Sequence, residues 1–193
     1  MNKQNFTLDE IERQIEALEQ ENQSFFSLFA GFLKTILQIA ILPALVYLVF
    51  AFFLGIAQIS QDSMLPNFAE GDFVIFNRIE ENYSFGDVIV VQSVNEQNNV
   101  VKRIIAVPGD TIEITSDLRI IVNGNEIRET WQSTGTLSQG TASLSFKLDE
   151  GEYFVLNDNR DDNNDSRNKK YGNIEQENIL GIVVYRFKMS KGL

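Results

Sequence analysis

Val100-Val101-Lys102-Arg103-Ile104-Ile105-Ala106-Val107 sets two adjacent cations inside an aliphatic, largely β-branched run, closed by the turn residues Pro108-Gly109-Asp110. A run this short, rich in Val and Ile and bounded by Pro and Gly, reads as a strand. Side-chain alternation puts Lys102 on the face of Val100, Ile104 and Ala106, and Arg103 on the other face. One of the two should point into an apolar layer, where a charge is costly. Lysine can respond by giving up its proton; arginine in practice cannot. Lowering a lysine pKa from about 10.4 to about 8 corresponds to about 3 kcal/mol, which a folded domain carries only where the neutral amine has a use. A lysine with a buried stem and its head in water is the other reading of these residues.

Similar runs lie on both sides. Phe73–Phe76, Val88–Gln92, Thr111–Thr115, Arg119–Val122, Ser143–Leu148, Tyr153–Leu156 and Ile182–Phe187 are short and separated by turn residues, among them Gly71-Asp72 and Gly86-Asp87. Asn123-Gly124 between two of them is a two-residue hairpin signal. The spacing predicts a mainly β domain, a barrel or sandwich. The Gly/Ser/Thr stretch 133–142 reads as a mobile loop, and the polar run 157–170 as a loop held by internal Asp–Arg pairs among Asp158, Arg160, Asp165 and Arg167.

Upstream the pattern changes. No charged residue occurs from Thr35 to Gln61, and Ile39–Ala57 is almost wholly apolar. About 20 such residues cross a hydrocarbon core of about 30 Å, so a retained membrane anchor is expected. Lys3, Arg13 and Lys34 precede or begin it, whereas Arg78 follows. That bias places the N-terminus in the cytoplasm and the rest outside. Residues 7–25 read as an amphipathic helix with an acidic face, opened by the capping pair Thr7 and Glu10. Its stripe (Leu8, Ile11, Ile15, Leu18) suits a solvated lead-in to the membrane or a short helix-mediated contact with a partner. The expected organisation is an acidic helix over 1–24, a membrane-spanning segment over 25–59, and an extracytoplasmic β-rich domain over 60–193 with a smaller insert at about 116–147.

Composition narrows the chemistry. The 193 residues include no Cys and no His, and 16 Lys+Arg against 27 Asp+Glu give a net charge of −11. Disulfides, thiol nucleophiles, His-ligated zinc and Ser-His-Asp triads are excluded. The acidic balance argues against nucleic acid as a partner. A hydrolase built from what remains must use Asp/Glu, Lys, Ser/Thr or Tyr, and a serine nucleophile would need Lys or a carboxylate as its base. Ser63, in Ser60-Gln61-Asp62-Ser63-Met64-Leu65-Pro66, lies four residues past Ile59 and so within about 14 Å of it. By spacing alone it is a turn serine. Asp161-x-Asn163-x-Asp165 matches the start of a calcium loop, but Ser166 and Gly172 stand where that loop needs Gly and Glu. No metal and no organic cofactor is implied.

The order of these segments carries more than any one of them. An N-terminal span, Ser63-Met64-Leu65-Pro66, Gly71-Asp72-Phe73-Val74, the Val101–Asp110 segment, then Asp158-Asn159-Arg160 with Asp165-Ser166-Arg167 and Tyr171-Gly172 resemble the bacterial type I signal peptidases of the single-span, Gram-positive kind. The resemblance covers about residues 36–187. It implies a membrane-anchored serine endopeptidase that removes signal peptides from exported preproteins after small-x-small sites, working at the lipid bilayer without a cofactor. It matches Ser63 to the nucleophile and Lys102 to the general base. Gln61, Asn163, Asp158, Arg160 and Arg167 match oxyanion and supporting positions, and Ile59, Met64, Phe68, Val100 and Val101 match pockets for a substrate added as a β-strand.

The chain departs from that family's pattern at Gln61 and Asn163, where Ser is common, at Asn157, where a Gly precedes the Asp, and at Asn67-Phe68. These changes fit a specialised paralogue. Two other readings are a non-catalytic or dedicated pilus or secretion assembly factor that kept the fold, and a self-cleaving Ser/Lys protease of the repressor type.

Overall fold

The computed structural model describes residues 8–92, 99–131, 133–135 and 137–188. A helix α1 (Leu8–Phe53) leads into eleven strands: β1 (Leu54–Gln58), β2 (Phe73–Asn77), β3 (Val88–Val91), β4 (Val100–Ala106), β5 (Thr111–Ile114), β6 (Ile120–Val122), β7 (Asn125–Glu126), β8 (Phe146–Lys147), β9 (Glu152–Leu156), β10 (Ile174–Glu175) and β11 (Ile179–Phe187). The chain forms two compact units, Met1–Val49 and Phe50–Leu193.

Within α1, Phe25–Phe53 spans 29 residues and is long and apolar enough to cross a membrane. At about 1.5 Å rise per residue it exceeds the ~30 Å hydrocarbon core. Its side chains lie exposed, Leu28 at 72% and Tyr47 at 71% among them, an arrangement that water disfavours and lipid accepts. Thr7 of the expected capping pair, and the side chains of Leu8, Glu10, Ile11 and Ile15, lie outside the described residues.

The apolar run does not stay helical to residue 59. It leaves the helix after Phe53, and Leu54–Gln58 pairs antiparallel with β2, from Leu54↔Asn77 to Gln58↔Phe73. Hydropathy cannot separate a lipid-facing helix from the strand that follows it; backbone partners can. Gly55 is part of the reason, because the Phe76 ring lies where its side chain would be: a Cβ there would sit 2.1 Å from the ring Cζ.

The larger sheet runs β1-β2-β11-β3-β4-β9-β10. Three strands separate β1 from β4, yet Ala57 and Ile59 pack in one cluster with Met64, Val74, Phe76, Val90 and Val101. The sheet therefore curls into a half-barrel, bringing its β1 edge round to β4. A second cluster, including Ile89, Val100, Ile104, Val155 and Ile179, fills another layer of the same sheet. A third (Ile105, Ala106, Ile112, Ile114, Phe154, Leu156) joins β4 and β9 to the smaller sheet β7-β6-β5-β8. That smaller sheet takes in Thr111–Lys147 and so begins before the expected boundary near 116. Asn123-Gly124 closes the β6–β7 hairpin with φ of 52° and 78°, the left-handed pair such a turn needs.

Strand β4 is buried along its whole length. Its pairing with β9 shifts register between Ile104 and Ala106. This bulge corrects the expected alternation: Ala106 packs with Ile105 rather than with Val100 and Ile104. The 133–142 loop also differs from expectation. Thr134 bridges to Asn159, and Thr141 donates its backbone N–H to Arg167 O at 2.9 Å. Its polar groups find backbone partners on another loop, which fixes it in place.

Candidate active site

Ser63 lies on a one-turn 3-10 helix, Asp62–Met64, entered through Gln61 in extended conformation. Ile59 and residues 71–72 tie the base of this turn by two backbone hydrogen bonds of 2.8 Å, Ile59 N–H to Asp72 O and Gly71 N–H to Ile59 O. Met64 is fully buried and Ser63 nearly so. The turn is thus pinned by its own apolar residue rather than by a regular element.

Lys102 has no exposed surface. Its Nζ donates to Asn157 Oδ1 at 2.7 Å and lies 5.3 Å from the centre of the Tyr171 ring. The reading with the head in water is therefore set aside. Arg103 is buried as well, at 6% exposure. It makes a two-point contact with Asp158, Nε to Oδ1 at 2.7 Å and Nη2 to Oδ2 at 2.6 Å, and its guanidinium lies 4.4 Å from the centre of the Trp131 ring. Both faces of the strand accept a cation, one beside a carboxylate and one beside an amide oxygen.

Residues 157–167 form the frame. Asn159 donates its backbone N–H to Ser63 O at 2.9 Å, and Asn67 donates to Asp158 Oδ2 at 2.8 Å. Two residues before Asn159, Asn157 reaches Lys102. One short segment therefore holds the backbone of Ser63 and the side chain of Lys102. Behind it, Arg167 grips the Asp165 carboxylate at 2.8 and 2.7 Å, and the same carboxylate accepts the Asn157 N–H at 3.0 Å. Arg160 pairs with Glu129. Burial pulls the Arg160 pKa below its ordinary value, against the pull of Glu129 and Asp158.

A cleft lined by Ile59, Ser60, Gln61, Ser63, Asn99, Val100 and Val101 opens beside Ser63. It shares Ser60 and Asn99 with a wider groove of about 250 Å³ along Ile56, Ala57 and Gln58. The groove follows β1, an edge strand of the sheet. Its free edge can accept a further strand.

The signal peptidase (peptidase S26) family model matches residues 32–188. Signal peptidase IB of Staphylococcus aureus is 31% identical over 174 residues, covering 80% of this chain and 88% of its own. The chain belongs to the signal peptidase family. Signal peptidase I P of Bacillus subtilis subsp. natto is 29% identical over 65% of this chain and 72% of its own. Signal peptidase I of Pseudomonas fluorescens is 28% identical, and the match spans 58% of that protein's length. The crystal structure of an Enterococcus faecalis signal peptidase I aligns at 30% identity over 52% of this chain and 96% of its own, with a TM-score of 0.43.

Within this signal peptidase fold the expected site residues do not all gather. Ile59, Met64 and Val101 share one apolar cluster with Phe68 packed against it, and Val100 packs in the neighbouring cluster while lining the cleft. Gln61 lines the cleft beside Ser63. Asp158 and Arg167 are buried in the frame, but Asp158 pairs with Arg103 of β4 and Arg160 with Glu129, so only Asp165–Arg167 is a pair internal to the loop. Asn163 is exposed, and its Oδ1 accepts from Ser138 at 2.9 Å. Asn163 thus meets Ser138, and the carboxamide that meets Lys102 is that of Asn157. Asn157 and Asn159 were missing from the sequence-based set. The signal was there for Asn157, as a departure immediately after an apolar strand.

Proposed function

We propose that this chain is a membrane-anchored serine endopeptidase that cuts signal peptides from exported preproteins after small-x-small sites, with Ser63 as nucleophile and Lys102 as general base. The observation that carries the reading is the 157–159 segment. It holds Ser63 and Lys102 from one short stretch of chain, beside a cleft on an edge strand. Neutral Lys102 takes the Ser63 hydroxyl proton as Oγ attacks the scissile carbonyl, and the carbonyl π electrons move to oxygen. The Ser63 backbone N–H donates to that oxyanion, an interaction worth about 3 kcal/mol. When the carbon–nitrogen bond breaks, the lysine ammonium returns the proton to the leaving amine, and water then attacks the acyl-enzyme by the same relay. The apolar residues Ile59, Met64, Phe68, Val100 and Val101 restrict the pockets to small side chains. The excess of Lys3, Arg13 and Lys34 before the span over Arg78 after it supports a cytoplasmic N-terminus and a catalytic domain outside.

The test is cleavage, in detergent, of a preprotein with an Ala-x-Ala site by wild type and by Ser63→Ala. Cleavage by wild type alone is expected. A folded wild type that cuts none of several such preproteins would overturn the reading in favour of a non-catalytic assembly role.

A further inference from the structure

We infer that Asn157 is the positioning residue for Lys102. The inference rests on the reading of Lys102 as the base and adds what aims it. Asn157 and Lys102 have no exposed surface, and Oδ1 and Nζ are 2.7 Å apart. The carboxamide cannot turn round. Its Nδ2 donates to Asp162 O at 3.1 Å and to Asn164 O at 3.5 Å. A flipped amide would face two carbonyls with an oxygen and the amine with an NH₂ group. The main chain is fixed as well, since the Asn157 N–H donates to Asp165 Oδ2 at 3.0 Å. The oxygen that meets Nζ is therefore held from three sides before any substrate arrives.

An amide oxygen suits the task better than a carboxylate would. It accepts a hydrogen bond from either the amine or the ammonium, and its neutrality does not lock the proton on. A carboxylate in this place would favour the ammonium, shifting its pKa up by one unit or more. The charged groups around the pair are already matched. Asp165 is taken by Arg167, and Asp158 by Arg103. Tyr171 presents its ring face to Nζ. On β3, the residue opposite Lys102 is the apolar Ile89. Asp62, on the Ser63 turn, is exposed and accepts the Glu70 N–H at 3.1 Å. Asn157 is absent from the cleft lining, so it should act on turnover rather than on substrate affinity.

The experiment uses the full chain in micelles with ¹³C-labelled lysine, following the Lys102 Cε resonance (assigned with Lys102→Met) alongside the pH profile of preprotein cleavage. Asn157→Asp is expected to raise the Lys102 titration midpoint and the acid limb of kcat/KM together, by one pH unit or more. An unmoved Lys102 resonance would overturn the inference. A resonance that moves while the activity profile stays in place would instead overturn Lys102 as the base, and the positioning role with it. Should Asn157→Asp not fold, Asn157→Ala serves: kcat is expected to drop tenfold or more with KM within about twofold. A rise in KM at constant kcat overturns the inference.

Discussion

Two stretches of the chain carry Asp–Arg pairs that end in opposite environments. In the β5–β7 region, Arg119 pairs with Asp117 and Glu126, and all three side chains are more than half exposed, at 51%, 58% and 54%. In the 157–167 segment, the side chains of Asp158, Asp165 and Arg167 are 0%, 0% and 1% exposed. The same ion-pair chemistry does different work in each. Charges in water are screened and easily replaced. Charges out of water depend on one another, so each fixes where its partner can be, and the partner here lies on β4 or within the segment itself.

Breaking a buried pair gives the largest effect. Asp158→Ala removes the buried carboxylate that accepts from Arg103 and Asn67 and should cost about 3–5 kcal/mol, read from denaturant unfolding in micelles. A loss under 1 kcal/mol would mean that the loop is not anchored through Asp158. A smaller disturbance comes from Gly135, at φ 78°, where a Cβ would stand 2.7 Å from the Asp161 backbone nitrogen. Gly135→Ala should cost about 1–3 kcal/mol and lower cleavage of the preprotein, because it pushes Thr134 off its bridge to Asn159. Unchanged cleavage would separate the docked loop from the site.

The least effect is expected in the exposed hairpin. Asp117→Asn should lower the unfolding midpoint at pH 7 only slightly. Hydrogen bonds from Thr115 and then Arg119 lower the Asp117 pKa from its ordinary 3.8. Since the folded pKa is the lower one, its contribution is present above pH 3.8 and fades as pH falls through the lowered value. Asp117→Asn should flatten the acid side of the stability curve slightly, and added salt should abolish the difference between the two proteins. A large shift at pH 7 would erase the contrast between the regions.

The same contrast explains what could be read from sequence. Strands β2 to β6 were legible because β-branched runs and turn residues mark them directly. β1 was not, because Leu54–Gln58 continues the apolar composition of the helix before it and only its pairing with β2 sets it apart. The Ala106 assignment failed at a bulge, which alternation cannot anticipate. In the candidate site, Ser63 and Lys102 were singled out through the order of segments, and the structure buries both. The frame was harder: a run such as Asn157–Arg167 has the composition of a solvated loop, and only coordinates reveal that its charges meet Arg103 and one another inside the protein. Sequence gives the residue types of a loop but not which of them turns inward, so nothing in it distinguished Asn157, which meets Lys102, from Asn163, which is exposed.

The segment that grips Ser63 and Lys102 at once also has a dynamic consequence. Local opening of 157–167 would release the serine carbonyl and the lysine amine in a single event, so under the proposed Ser63/Lys102 mechanism the loss of activity should be cooperative rather than graded. The Asn159 amide proton, bonded to Ser63 O, is exchangeable with solvent only while that opening lasts. Its hydrogen-exchange rate is therefore a direct gauge of the fraction of molecules that are assembled for reaction at any moment.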